Sequence, residues 1–398
     1  MLPKNVIIIT NGTLPIPAFL GGAVENLIAT ILYKNEHYHN FNFIVFTPFY
    51  DKIIQEKNLF KYTQFHYINT KSLFYKISRL FRYILNILPN VNVASQYLYS
   101  VKKKIINHKN IDLILIENSP HFLQYFNKQH YKLVLHLHND YISNSQYQND
   151  LLFQNSDLIL TVSNYLKNKL ENSTTIKLNI KTLYNGIDLN RFNRKTITKK
   201  NISNLRSKFN IKNNDYLIAF AGRLQSNKGV ELVIDAFLKH KYFNDSKLFI
   251  IGSAEFANRT NQKFKNRVNR KILNCKEKII FTDYIDYNKI HHYFNIPDVF
   301  VLPSLCEEAF GMTILESIAT SKPVIVSDAG GITEIVNSSC SMILKRDANI
   351  LDNIIISLEK LYENKELRNS MSISARDTSL NFSDKIYYDN FVKYLNQL

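Results

Sequence analysis

The sequence predicts an α/β protein built as two successive halves, each alternating short buried strands with amphipathic helices. Three observations carry this. Apolar runs at 6–9, 133–137, 217–220 and 299–302 are short and continuous, as in strands covered on both faces. Helical patterns separate them, which is the arrangement that builds parallel sheets. Between the halves, residues 195–214 are rich in Lys, Asn, Ser and Thr and read as a linker, after which the alternation restarts.

At 398 residues the chain is long enough for two domains, each with a core of its own. Its net charge of +17 implies an anionic partner: nucleic acid, a membrane surface or phosphorylated small molecules. No nucleic-acid module accompanies the charge, so nucleic acid is not expected. Cys275, Cys306 and Cys340 are too few and too scattered for a disulfide framework or a zinc site, and read as reduced thiols. The N-terminus lacks a signal pattern, and no apolar run approaches the ~18 residues that span a bilayer. The expectation is a cytoplasmic protein, with a place on the inner face of the cytoplasmic membrane left open.

In chain order, strand 6–9 feeds a long loop that enters a helix near Val24 through Gly21 and Gly22. Two glycines there serve either a turn or close backbone approach to a ligand. Strand 43–46 follows. Residues 72–88 form a helix whose apolar face is Leu73, Phe74, Ile77, Leu80, Phe81, Ile84, Leu85 and Leu88, flanked by Lys76, Arg79 and Arg82 and stopped by Pro89. That pattern suits a core-packed helix or one resting on an anionic bilayer. Strands at 111–116 and 133–137 come next, the second ending in His136-Leu-His138-Asn-Asp140. A strand-end histidine serves either structure or chemistry. Strand 158–162 leads into a helix at Ser163, and Asn185-Gly186 marks a turn.

In the second half, strand 217–220 opens into a loop holding Gly222, Arg223, Lys228 and Gly229, and helix 230–238 and strand 247–251 follow. Strand 299–302 ends at Pro303, a loop carries Glu308, a helix over 311–320 holds Glu316, and strand 324–326 completes the unit. A last helix over 383–398 places Tyr388, Phe391, Val392 and Leu395 on its apolar face.

Taken together, Gly21-Gly22, Leu135-His-Leu-His-Asn-Asp140, Val162-Ser163, Tyr184-Asn-Gly-Ile-Asp188, Ala221-Gly-Arg-Leu224 with Lys228-Gly229, and Glu308-Ala-Phe-Gly-Met-Thr-Ile-Leu-Glu316 with Ala329-Gly-Gly331 resemble the GT-B glycosyltransferases, in particular the retaining family 4. The resemblance spans nearly the whole chain. It implies the GT-B fold: two Rossmann-like domains facing across a central cleft, at 1–190 on the acceptor side and 191–380 on the nucleotide-sugar side, with a C-terminal helix at 381–398 returning to the N-terminal domain.

The resemblance also implies roles. Arg223 and Lys228 match the family's diphosphate-binding pair, a planar fork and a compact charge. Glu316 matches the ribose-binding glutamate and Glu308 the one facing the donor sugar. Phe310 and Gly311 would offer backbone amides, Gly21 and Gly22 would let backbone approach the diphosphate, and His138 would lie between donor sugar and acceptor. His136 and Glu307 do not match the motif positions. No nucleophile is assigned. No cofactor beyond the nucleotide sugar is expected and no metal is required, since Arg223 and Lys228 carry the cationic charge. Asp283 stands where the family frequently has glycine, and Ala309 where proline is frequent.

The implied function is that of a retaining hexosyltransferase. It would move a hexose or N-acetylhexosamine from a UDP-sugar, such as UDP-GlcNAc, UDP-Glc or UDP-Gal, to a glycan or lipid-linked acceptor in bacterial-type surface polysaccharide or lipopolysaccharide synthesis. The alternatives are a non-catalytic GT-B partner subunit and a sugar-nucleotide epimerase.

Overall fold

The computed structural model describes residues 2–52, 57–85, 93–108, 110–252, 255–256, 259–260, 262–273 and 275–398. The chain divides into two compact units, Met1–Asn185 with Lys385–Leu398, and Gly186–Asp384.

The first unit holds seven strands: β1 Lys4–Ile9, β2 Phe41–Pro48, β3 Thr63–Ile68, β4 Leu113–Glu117, β5 Lys132–Leu137, β6 Leu158–Thr161 and β7 Ile180–Thr182. They pair in the order β3-β2-β1-β4-β5-β6-β7, every ladder parallel. β1, β4, β5 and β6 are buried on both faces, which is why they read as unbroken apolar runs. The chain goes one way from β1 to β2 and the other from β1 to β4, so the sheet's switch point lies between β1 and β4, where crevices open beyond the carboxyl ends.

The last helix, Asp384–Asn396, seals this sheet: Tyr387, Tyr388, Phe391 and Leu395 enter the core formed by Leu27, Ile31, Phe41 and Val45. Tyr388 donates its hydroxyl to the buried Asn35 Oδ1 at 2.9 Å, and that same oxygen accepts the amides of Asn40 and Phe41. A buried amide side chain is thereby satisfied by three donors at once.

The second unit adds β8 Tyr216–Ala221, β9 Ser246–Ile251, a short antiparallel hairpin of β10 Glu255–Phe256 and β11 Arg259–Thr260, then β12 Ile279–Phe281, β13 Val299–Leu302, β14 Val324–Ser327 and β15 Ser341–Leu344. Its sheet runs β12-β9-β8-β13-β14-β15, again all parallel, with its switch point between β8 and β13. Two parallel-sheet Rossmann-like units are therefore present. Among the described residues no helix is long and apolar enough to cross a membrane.

One expectation changes and one open alternative narrows. The stretch 195–214 is not a linker: it contains the helix Lys199–Lys208, capped by Thr198 accepting from the Asn201 amide. Arg206 ties its end down by donating to the Asp215 carbonyl at 3.0 Å, while Ile197 and Ile211 are buried on either side. Polar dilution of a weak apolar stripe hid this helix.

In the helix Leu73–Leu85, of the two readings left open the core-packed one does not hold for most of the stripe: Leu73, Phe74, Ile77, Leu80, Phe81 and Ile84 are exposed. The helix docks through Tyr75, Ser78, Arg82 and Leu85 instead. Leu88 and Pro89 lie outside the described residues.

Candidate functional site

In the first unit the site grows from strand register. β4 and β5 pair so that Glu117 sits opposite His136, and His138, two residues on, emerges on the same side. Glu117 Oε2 accepts from His138 Nε2 at 2.8 Å and lies 3.2 Å from His136 Nδ1. Asn118, in the left-handed region at φ 52°, turns its side chain back so that Oδ1 accepts the amides of His138 and Asn139 at 3.0 and 3.1 Å. All three ionisable groups are buried.

Burial alone would raise the Glu117 pKa, but His136 and His138 outweigh it and hold the carboxyl at about 2. Burial, reinforced by His136 and opposed by Glu117, holds His138 down at about 4. At neutral pH this is a carboxylate beside a neutral imidazole. A carboxylate only accepts, so His138 carries its proton on Nε2 and presents Nδ1 as an acceptor.

Glu117 is the candidate-site residue that motif reading missed. Its signal was an acid capping an otherwise apolar strand, next to a strand with two histidines at i and i+2.

The same three residues place one carboxylate oxygen and two ring nitrogens within 4.8 Å of one another. Tetrahedral metal ligands at ~2.0–2.1 Å stand about 3.3 Å apart. The 2.8 Å separation of Nε2 and Oε2 is a hydrogen bond instead, so the cluster as arranged is a proton-sharing group.

Also in this unit, Gly21 and Gly22 form the entrance to the helix Ala23–Tyr38 after β1, on the other side of the switch point. Gly22 has φ 105°, and a Cβ there would overlap the Glu25 carboxyl and Leu14. Glu25 itself is pushed up by burial, with the charge of Glu117 adding to the effect.

In the second unit the loops after β8 and β13 meet at the switch point. The Leu305 amide donates to the Asn227 carbonyl at 2.8 Å, and a Cβ on Gly229, at φ 76°, would strike the Pro303 carbonyl. This close approach sets Lys228 against Glu308, whose Oε1 accepts from the lysine ammonium and, at 2.5 Å, from the Ser304 hydroxyl. The loop after β14 holds Glu308 from behind, the Gly331 amide donating to the Glu308 carbonyl at 2.8 Å. Arg223 lies in the loop after β8 that ends at Lys228.

Gly311 caps the helix Met312–Ala319, its carbonyl accepting the Ile314 and Leu315 amides at 3.0 and 3.2 Å, and the Met312 and Thr313 N–H groups lie ahead of these first bonds. The Phe310 side chain is buried against Phe382, so what it can offer a ligand is main chain. Neighbouring Glu307 instead pairs with Arg346.

Glu316 is 5% exposed and its carboxyl accepts no hydrogen bond among the described residues. Burial pushes it up to about 8, and the Arg191 guanidinium only partly opposes this. Arg191 is engaged elsewhere, donating to the Tyr287 carbonyl and lying 4.3 Å from the Tyr287 ring centroid. Asp283 takes φ 58°, the left-handed conformation that suits glycine, and forms a bridge with Gly252.

The sequence-predicted residues thus gather in two groups: Gly21, Gly22 and His138 at the carboxyl edge of the first sheet, and Arg223, Lys228, Glu308, Phe310, Gly311 and Glu316 at that of the second.

Comparison with known proteins follows this division. Residues 37–191 match the model of Glycosyltransferase Family 4, and residues 201–378 that of Glycosyl transferases group 1. The chain is 27% identical over 373 residues to the lipopolysaccharide 1,2-N-acetylglucosaminetransferase of Salmonella typhimurium, covering 91% of this chain and 86% of that one. It is 27% identical over 274 residues to the putative glycosyltransferase YtcC of Bacillus subtilis, 67% of each chain. Among solved structures, Anabaena Alr3699/HepE in complex with UDP and glucose superposes with a TM-score of 0.75 over the full length of both chains at 19% identity.

Proposed function

The chain belongs to the family 4 glycosyltransferases of the GT-B fold, enzymes that draw on nucleotide sugars, and from that premise we propose a UDP-sugar-dependent retaining hexosyltransferase acting on a glycan or lipid-linked acceptor. The observation that carries this reading is Glu316. Its carboxyl is 5% exposed, accepts no hydrogen bond among the described residues and is pushed up to about 8 by burial, a cost that vicinal ribose hydroxyls donating to it would offset.

The remaining groups follow the charge flow of the reaction. Departure of a diphosphate builds negative charge, which Arg223, Lys228 and the helix N-terminus at Gly311 would stabilise. Positive character grows on the sugar, where Glu308 supplies a carboxylate held in position by Ser304 and Lys228. In the first unit, His138 offers Nδ1 as an acceptor for a sugar hydroxyl.

The Salmonella relative, which spans most of both chains, favours N-acetylglucosamine as the first donor to try and a surface-glycan acceptor. With cationic side chains in the metal's role, a chelator is expected to leave turnover intact.

The test is a nucleotide-sugar panel read first by thermal shift and then by nucleotide release and transfer, with NMR of the product's anomeric centre. The true donor should raise the melting temperature, the α-configured bond should be retained, and Glu308→Gln should lower turnover by about 100-fold. No donor-dependent release from any nucleotide sugar, or inversion at the anomeric carbon, overturns the proposal.

A further inference from the structure

The helix Leu73–Leu85 is unusual among the elements of the first unit because it faces outward with its apolar side. Leu73 is 73% exposed, Phe74 78%, Ile77 59%, Leu80 60%, Phe81 62% and Ile84 52%. On a helical projection these six occupy one continuous arc, while the narrower line of Tyr75, Ser78, Arg82 and Leu85 faces the protein. Arg82 fastens that inner line, donating Nε to Gln96 Oε1 at 2.9 Å and lying 3.8 Å from the Tyr99 ring centroid. The helix is therefore anchored, and its outward face is a presented surface. A contiguous patch of this kind marks an interaction site.

The surrounding sequence identifies the occupant. From Lys57 to Ile111 there is no aspartate or glutamate, while ten lysines and arginines fall in those 55 residues: Lys57, Lys61, Lys71, Lys76, Arg79, Arg82, Lys102, Lys103, Lys104 and Lys109. Lys76 and Arg79 lie exposed along one flank of the apolar arc, and Lys103 and Lys104 are exposed on the helix Gln96–Ile105 that packs beside it. A second copy meeting the same face across a two-fold axis would bring one acid-free segment against another. An anionic lipid surface accepts both features at once, apolar side chains entering the acyl boundary and ammonium and guanidinium groups meeting phosphates.

We propose that the face built on Leu73, Phe74, Ile77, Leu80, Phe81 and Ile84, with its acid-free basic surround, docks the protein on an anionic bilayer, lying in the interface without spanning it. This goes beyond the transferase reading and does not depend on it, since no residue of either sugar-site cluster takes part.

The test uses the full chain and vesicles of phosphatidylcholine, with or without about a third phosphatidylglycerol, in a co-sedimentation assay. Retention is expected on the anionic vesicles, with release at about 1 M salt. Phe74→Ser with Phe81→Ser, and separately Lys76→Glu with Arg79→Glu, should each weaken retention about tenfold or more. Circular dichroism and the melting temperature should not change, because these side chains are exposed.

Equal, salt-insensitive binding to neutral vesicles overturns the proposal, as does retention of either folded variant at the wild-type level. Sedimentation velocity addresses the rival occupant: self-association abolished by the phenylalanine variant, with no vesicle binding, assigns the face to a second copy.

Discussion

Two buried carboxyl groups close to the switch points, Glu117 in the first unit and Glu316 in the second, are treated in opposite ways. Glu117, at the end of β4, has one oxygen set against two imidazoles and is held ionised at about 2 despite full burial. Glu316, in the helix after β13, accepts no hydrogen bond among the described residues and is pushed up to about 8 by burial. A buried carboxyl whose partners belong to the fold is committed to holding those partners in place. One whose partners are missing from the fold is kept for something that arrives from outside. On the proposed function, the contrast casts Glu117 as the group that positions His138, and Glu316 as the one a donor would meet.

The largest effect expected from this contrast is on the committed carboxyl. Glu117→Ala leaves two buried imidazoles without their acceptor and should cost about 3 kcal/mol or more of stability, read as a lowered midpoint in chemical denaturation. Glu117→Gln keeps the volume and should remain folded. Its amide can donate as well as accept, so it no longer enforces the Nε2–H tautomer of His138. Turnover is then expected to fall about 10- to 100-fold with little change in donor KM. His138→Ala in the same background should add little further loss, since the two residues act as a unit. A Glu117→Gln enzyme with wild-type turnover would break the comparison on this side.

How much of this could be read from the chain depends on where the signal lies. The buried strands announced themselves because both faces are covered, and the Glu308 to Glu316 stretch because a strand end, a glycine-capped helix and a second strand fall within about thirty residues. Glu117 escaped because its meaning is a matter of register. Nothing local says that it faces His136 until β4 and β5 are paired. The helix Lys199–Lys208 escaped for a different reason: polar residues dominate it, and its stability comes from a Thr198 cap and from neighbours outside the window. The apolar stripe at 73–84 was legible, but which way it faced was not, because periodicity reports that a helix has two faces and never which one the protein keeps. Asp283 shows the reverse case: the left-handed backbone that suits the glycine frequent at this position is visible only in three dimensions.

The smaller effects test the other carboxyl. Glu316→Gln removes an acceptor made for hydroxyl groups and should raise donor KM about tenfold, with kcat changed less. The same substitution should alter stability in the opposite sense. The unfolded chain releases the Glu316 proton near 4.5 and the folded chain holds it to about 8, so across that window the folded state binds the extra proton. The contribution of Glu316 to stability therefore falls as pH rises from 4.5 to 8, and its penalty is fully present above 8. A glutamine side chain cannot ionise, so the variant should lose that slope and be more stable than wild type at about pH 8, by an amount that shrinks toward about pH 5. Saturating donor should narrow the gap from the other side, because hydroxyl groups donating to the carboxylate stabilise its charged form in wild type alone. Denaturation midpoints at about pH 5 and pH 8, with and without donor, measure these differences. A Glu316→Gln variant that is less stable than wild type at the higher pH without donor would mean that this carboxyl, too, is committed to the fold.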